Sequence, residues 1–274
     1  MRALIAVCLL GCSSGSSSGP STSVFASAPQ PIDVTPNPKA TRLRVMTYNV
    51  NFGLDGDRAG IAAIASATPD LVLLQETTPA WEKALIGSLA ISYPHHHFEH
   101  THTELLAGGL GVLSKYPIVK IDTLASGGEP FFAWRVVIDA PGGPLQVLDL
   151  HLRPPMSDSG SWVVGYFSTR GIRQREALAH VAKLDPALPA IAVGDFNEED
   201  EGMAIAVFKE RGFSSALPQF EPNATTWQWP VAGSTLRFRL DHVLYDKHFR
   251  AVDAAVVPAG RSDHAPVWAD LERR

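Results

Sequence analysis

Ala190-Ile191-Ala192-Val193-Gly194-Asp195-Phe196-Asn197 is a short apolar run, a glycine, then a carboxylate and an amide. An apolar run of that length reads as a strand buried on both faces. The polar residues begin just where it stops. Working outward, the same pattern recurs. Leu43-Arg44-Val45-Met46-Thr47-Tyr48 runs into Asn49 and Asn51, and Leu71-Val72-Leu73-Leu74 ends in Gln75 and Glu76. Val147-Leu148-Asp149-Leu150 ends in His151, Leu240 precedes Asp241, and Arg261-Ser262 leads into Asp263 and His264.

Candidate strands cover 43–48, 71–75, 111–114, 133–138, 145–151, 190–193, 240–245 and 266–270. Candidate helices lie among them at 58–67, 78–89, 170–184 and 202–211. Strands interleaved with helices predict an α/β fold. With no fixed-period repeat and no second linker, residues 41–274 are expected to form one domain.

Arg2 precedes an apolar run from Ala3 to Leu10, then Gly11 and Cys12. One positive charge, a short apolar core and a small residue mark a secretory signal. The run is too short to span a bilayer, which takes about 20 residues. Leu9-Leu10-Gly11-Cys12 resembles the bacterial lipobox, whose cysteine is acylated; the alternative is an ordinary signal with an incidental cysteine. The lipobox reading makes residues 1–12 a signal peptide and the protein an exported, membrane-anchored lipoprotein. Residues 13–40 are rich in Ser, Pro, Thr and Ala, a composition expected of a flexible tether. The two cysteines, Cys8 and Cys12, leave the rest of the chain nothing to bridge. A net charge of -5 argues mildly against a broad, sequence-blind grip on duplex nucleic acid.

In α/β sheets, ligands gather at the carboxyl ends of strands. If these polar tips converge, they make a cluster of acids, imidazoles and amides that repels itself without a cation. Oxygen ligands select a hard ion, so Mg²⁺, Mn²⁺ or Ca²⁺ is expected rather than zinc.

Six stretches carry a resemblance: Tyr48-Asn49-Val50-Asn51, Leu74-Gln75-Glu76, His151-Leu152-Arg153, Gly194-Asp195-Phe196-Asn197, Leu240-Asp241-His242 and Ser262-Asp263-His264. With Gly111-Val112-Leu113-Ser114-Lys115-Tyr116-Pro117-Ile118 between them, they resemble the ordered motifs of the endonuclease/exonuclease/phosphatase superfamily. The resemblance implies a four-layer sandwich, two mixed β-sheets face to face with helices outside. It also implies metal-dependent hydrolysis of phosphate esters by in-line attack of water. Glu76 and Asp263 match metal ligands, Asn51 lies near the metal, and Asn49 supports the same site. Asp195 matches the group that activates water, and Asn197 the amide that holds a phosphoryl oxygen. His264 matches the histidine on the phosphate, with Asp241 orienting it, and His151 matches a second histidine of many members.

Other stretches are less committed. His95-His96-His97-Phe98-Glu99-His100-Thr101-His102 reads as a polar loop near the cleft or a second metal site. The Trp162–Phe167 stretch reads as packing against the domain or touching lipid or a base, and the family resemblance makes Arg173 and Gln174 cleft candidates. Trp227 and Trp229 read as core or as a surface for a substrate ring. The substrate expected is a phosphodiester, in nucleic acid or a phospholipid headgroup, and the domain is expected to be monomeric. A polyphosphate phosphatase would favour a dense Lys and Arg cluster, which the sequence lacks. The rival from another class is a non-catalytic surface binding module on the same fold.

Overall fold

A computed structural model describes residues 35–101, 106–126, 131–156, 162–231 and 233–274. The expected signal, the Cys12 anchor and the tether up to residue 34 lie outside the described residues, as do His102 and residues 157–161. Residues 35–40, expected as the end of the tether, instead belong to the domain. Asn37 N donates to Glu272 Oε1 at 3.1 Å, and the Thr35 carbonyl accepts from Arg250. Among the described residues no helix is long and apolar enough to cross a membrane.

Strands β1 (Arg42–Asn49), β2 (Leu71–Gln75), β3 (His95–Glu99), β4 (Leu110–Ser114), β13 (Phe249–Val256) and β14 (Val267–Arg273) form one sheet, in the order β13-β14-β1-β2-β4-β3. Strands β5 (Ile118–Leu124), β6 (Ala133–Ala140), β7 (Gly143–His151), β8 (Ala190–Asp195), β9 (Ser214–Ser215) and β12 (Asp241–Tyr245) form the second, in the order β5-β6-β7-β8-β12-β9. Both are mixed: β1 runs parallel to β2 and β7 parallel to β8, while the other pairs are antiparallel. A separate hairpin joins β10 (Trp227–Val231) to β11 (Ser234–Phe238).

Alternation along each strand builds the layers, because successive side chains point to opposite faces. Val45, Leu71, Leu73 and Val112 meet Trp134, Val147, Ile191 and Val193 in a core between the sheets. The alternate residues Met46, Tyr48, Val72 and Leu74 pack outward onto α1 (Arg58–Ala67) and α2 (Pro79–Leu89) through Ile64, Trp81 and Leu85. Leu148, Leu150 and Ala192 pack onto α4 (Arg170–Val181) and α5 (Met203–Glu210) through Ala177, Ile205 and Phe208. Each fully buried large apolar side chain contributes about 1.5–3 kcal/mol. The expected four-layer sandwich of two mixed sheets with helices outside is the observed architecture.

Two short helices, α3 (Trp162–Ser168) and α6 (Leu217–Phe220), and strands β3, β5, β9, β10, β11 and β13 go beyond the sequence expectation. The His-rich stretch is a correction. Its first five residues form β3 at the edge of the first sheet rather than a loop. His100 Nε2 lies 2.8 Å from Glu82 Oε2, and the His97 ring packs against Trp134 at 5.3 Å.

Candidate active site

Register delivers the polar tips to one place. Asn49 pairs with Gln75 across β1 and β2, and His151 with Asp195 across β7 and β8. Asp241 pairs with Asp195 across β12 and β8, coming from the start of an antiparallel strand rather than from a carboxyl end. Gly194 permits the β7–β8 approach: its φ is +135°, and a Cβ there would sit 1.9 Å from the Leu150 carbonyl oxygen.

Asn51, Glu76 and Asn197 all adopt left-handed backbone, with φ of 62°, 60° and 52°. Non-glycine residues held in such conformations cost of order 1–3 kcal/mol each and cluster at functional sites. Local hydrogen bonds hold these bends. Asn51 N donates to Asn49 Oδ1 at 3.1 Å, Asn197 N to Asp195 Oδ1 at 2.9 Å, and Phe52 N to Glu76 Oε2 at 3.2 Å.

Glu76, His151, Asp195, Asn197, Asp263 and His264 line one cavity of about 300 Å³. Asn49 and Asn51 hold its carboxylates: Asn49 Nδ2 bridges Glu76 and Asp195, and Asn51 Nδ2 donates to Asp263 Oδ1 at 2.8 Å. The structure therefore brings Asn49, Asn51, Glu76, His151, Asp195, Asn197, Asp263 and His264 together, with Asp241 behind His264 as its partner. Of the looser cleft candidates, neither Arg173 nor Gln174 lines this cavity. Arg173 is fully buried in an ion pair with Glu198 at 2.9 Å and is a structural strut.

His264 Nδ1 lies 2.9 Å from Asp241 Oδ2, which also accepts from Thr226 Oγ1 at 2.6 Å. Burial alone would lower the His264 pKa, but the charges of Asp241 and Asp195 outweigh it and raise it to about 10. His264 is thus held as a cation whose Nε2 lies 3.5 Å from Asp195 Oδ2. His151 differs: burial lowers its pKa, and Phe131 stacks on its ring at 4.3 Å. Its Nε2 lies 3.7 Å from Asp195 Oδ2 and 3.9 Å from Glu76 Oε1. Burial raises the pKa of Asp195 against the opposing effect of His264, and burial likewise raises that of Glu76. Both carboxyls are thereby more basic than usual.

The donor set fits a hard divalent cation. Three carboxylates share the cavity, and each neighbouring amide leaves oxygen lone pairs free. Asp195, Asp241 and His264 also offer ligand atoms within 4.8 Å of one another. Asp241, however, lies behind His264 and does not line the cavity, so it is placed to orient the imidazole. Glu76 and Asp263 both line it.

Sequence reasoning missed Thr226, and it left Trp227 without a defined partner. Trp227 Nε1 donates to Asp263 Oδ2 at 2.9 Å. Ser262, read only as part of a motif, donates from Oγ to the Asn49 carbonyl at 2.9 Å. No local signal marks these partners, because each contact spans distant parts of the chain.

A buried acid, amide and imidazole cluster at the strand tips of two stacked mixed sheets is found here in a chain whose family consists generally of phosphoester hydrolases, typically dependent on a divalent metal. The chain belongs to the endonuclease/exonuclease/phosphatase family, whose sequence profile matches residues 46–264. Among solved structures, it is similar to an endonuclease/exonuclease/phosphatase from Beutenbergia cavernae, at 23% identity and a TM-score of 0.68, covering 85% of this chain and 72% of that one. It is also similar to D. rerio TDP2 complexed with single strand DNA product, at 18% identity and a TM-score of 0.65, covering 84% and 99%. The human Nocturnin catalytic domain with bound sulfate matches at 17% identity and a TM-score of 0.67, covering 85% and 95%. At these identities the likeness is one of fold. No match was found among curated protein sequences.

Proposed function

We propose that this protein is a divalent-metal-dependent phosphodiesterase or nuclease that cleaves P–O bonds by in-line attack of water. The observation that carries this reading is Asp195 Oδ2, placed among Asn49, His151 and His264 at the floor of a cavity that Glu76 and Asp263 also line. Asp195 would orient the attacking water and take its proton. His264, kept cationic by Asp241, would stabilise charge developing on a phosphoryl oxygen. Asn197 and His151 would add further polar contacts to the phosphoryl group. Mg²⁺, Mn²⁺ or Ca²⁺ held by Glu76 and Asp263, with Asn51 beside them, would withdraw charge from the phosphoryl oxygens and stabilise the leaving oxygen.

Metal-dependent hydrolysis of bis-p-nitrophenyl phosphate tests the reading. No activity with Mg²⁺, Mn²⁺ or Ca²⁺ would leave a binding module instead. A second reading, a phospholipid phosphodiesterase, is supported by Val164 and Phe167 of α3, which are 57% and 63% exposed. Parallel assays on plasmid DNA, RNA and sphingomyelin liposomes separate the two. We further propose acylation at Cys12, export, anchorage to the cell envelope and a monomeric catalytic domain. Mass spectrometry of the membrane fraction, with Cys12→Ser as control, tests the anchor.

A further inference from the structure

One wall of the catalytic cavity is apolar. Pro154, Pro155 and Met156, from the segment after β7, line it alongside the acids, together with Trp227 and Trp229 of β10. Trp227 is only 6% exposed and is held by Asp263, so its place follows from the architecture. Trp229 is 50% exposed and lies parallel to Trp227, with an interplanar angle of 3° and centroids 6.3 Å apart.

The hairpin aligns this pair. Trp227 and Trp229 are two residues apart and so share a face, opposite Phe238 and Leu236 in the antiparallel register. Phe238 lies 6.0 Å from Trp227 and 6.1 Å from Tyr166 of α3. A row of rings thus runs from α3 to the cavity and ends in a half-exposed indole. Such a ring offers a flat apolar surface at little cost in side-chain entropy.

We propose that Trp229 is a stacking platform for a flat ring carried by the substrate, so that the site takes nucleoside phosphoesters. The proposal rests on the phosphodiesterase reading and narrows its substrate class. Charge and size favour a short nucleotide. The chain carries a net charge of -5, and the neighbouring groove under Tyr166 and Phe238 is bordered, among the described residues, by Glu199 and Glu201 against the single cation Arg170, a balance that disfavours a long polyanion. Stacking tolerates any base, because every base has a π-face.

The test compares adenosine monophosphate, ribose 5-phosphate and phosphocholine as ligands of the folded protein with Mg²⁺ present, by calorimetric titration. Base stacking predicts that adenosine monophosphate binds about 5- to 150-fold more tightly than ribose 5-phosphate, which differs by lacking the base. Trp229→Ala should bring that ratio close to one, and Trp229→Phe should restore most of it. Equal affinities in the wild type, a ratio unchanged by Trp229→Ala, or tighter binding of phosphocholine would each overturn the platform. The bis-p-nitrophenyl phosphate assay is read separately. Loss of hydrolysis there with the nucleotide preference intact would sink the enzyme reading and spare the platform.

Discussion

Asn49 donates from one amide nitrogen to two carboxylates, Glu76 Oε1 at 3.0 Å and Asp195 Oδ2 at 3.1 Å. Its other end is fixed, because Asn49 Oδ1 accepts from the Asn51 backbone N–H. The amide orientation therefore follows from the network. A single side chain couples the expected metal ligand to the expected base. Asn49→Asp places a third negative charge between two others and is expected to lower turnover more than Asn49→Ala does. Steady-state hydrolysis of bis-p-nitrophenyl phosphate checks the order, and equal losses would show that the bridge is only steric.

Asp195→Asn, Glu76→Ala and His264→Ala should each lower turnover by about a hundredfold or more, the scale of losing a positioned base or charge stabiliser. Circular dichroism should show the fold retained. Turnover within tenfold of wild type in all three would remove the assignment.

Glu76→Gly should abolish activity yet raise the melting temperature of the metal-free protein. Glycine relieves the φ of 60° and removes a carboxyl whose charged form burial disfavours. A clear drop in melting temperature would show that Glu76 stabilises the fold through its bonds from Asn49 and Phe52.

His264 predicts a pH signature in metal-free protein. Its pKa is raised in the fold from 6.5 to about 10, so its charge stabilises the folded state most fully below about pH 6.5. That contribution fades as pH rises and is lost through about 10. Thermal melts of wild type and His264→Asn across this range should therefore converge toward alkaline pH. A gap that widens with pH would contradict the assignment of charge.

Arg173 binds Glu198, Thr169 Oγ1 and the Tyr166 carbonyl, while Glu198 Oε2 accepts from Ala204 N at the start of α5. Removing one partner of a buried pair costs about 3–5 kcal/mol. Arg173→Ala should lower the melting temperature by about 10 °C. The fraction that stays folded should keep its turnover within a few-fold of wild type. A large loss of turnover without a thermal shift would return Arg173 to the cleft.

The apolar runs that end in polar residues were legible because strand length and buried faces are local properties of the chain. Strands 71–75 and 190–193 and helix 58–67 needed no distant information. β3 was not legible, since His95, His96 and His97 give an edge strand no apolar alternation to read. The β10–β11 hairpin was hidden for a similar reason, as most of its side chains are exposed or half-buried.

The sequence by itself determined which residues stand at strand ends and, through the order of its motifs, which family to expect. Only the tertiary structure decided their partners. Asn51 reaches Asp263 across 212 residues, Trp227 caps Asp263, and Thr226 holds Asp241. Such contacts depend on sheet order and register, and those follow from the packing of whole layers, which no single segment encodes.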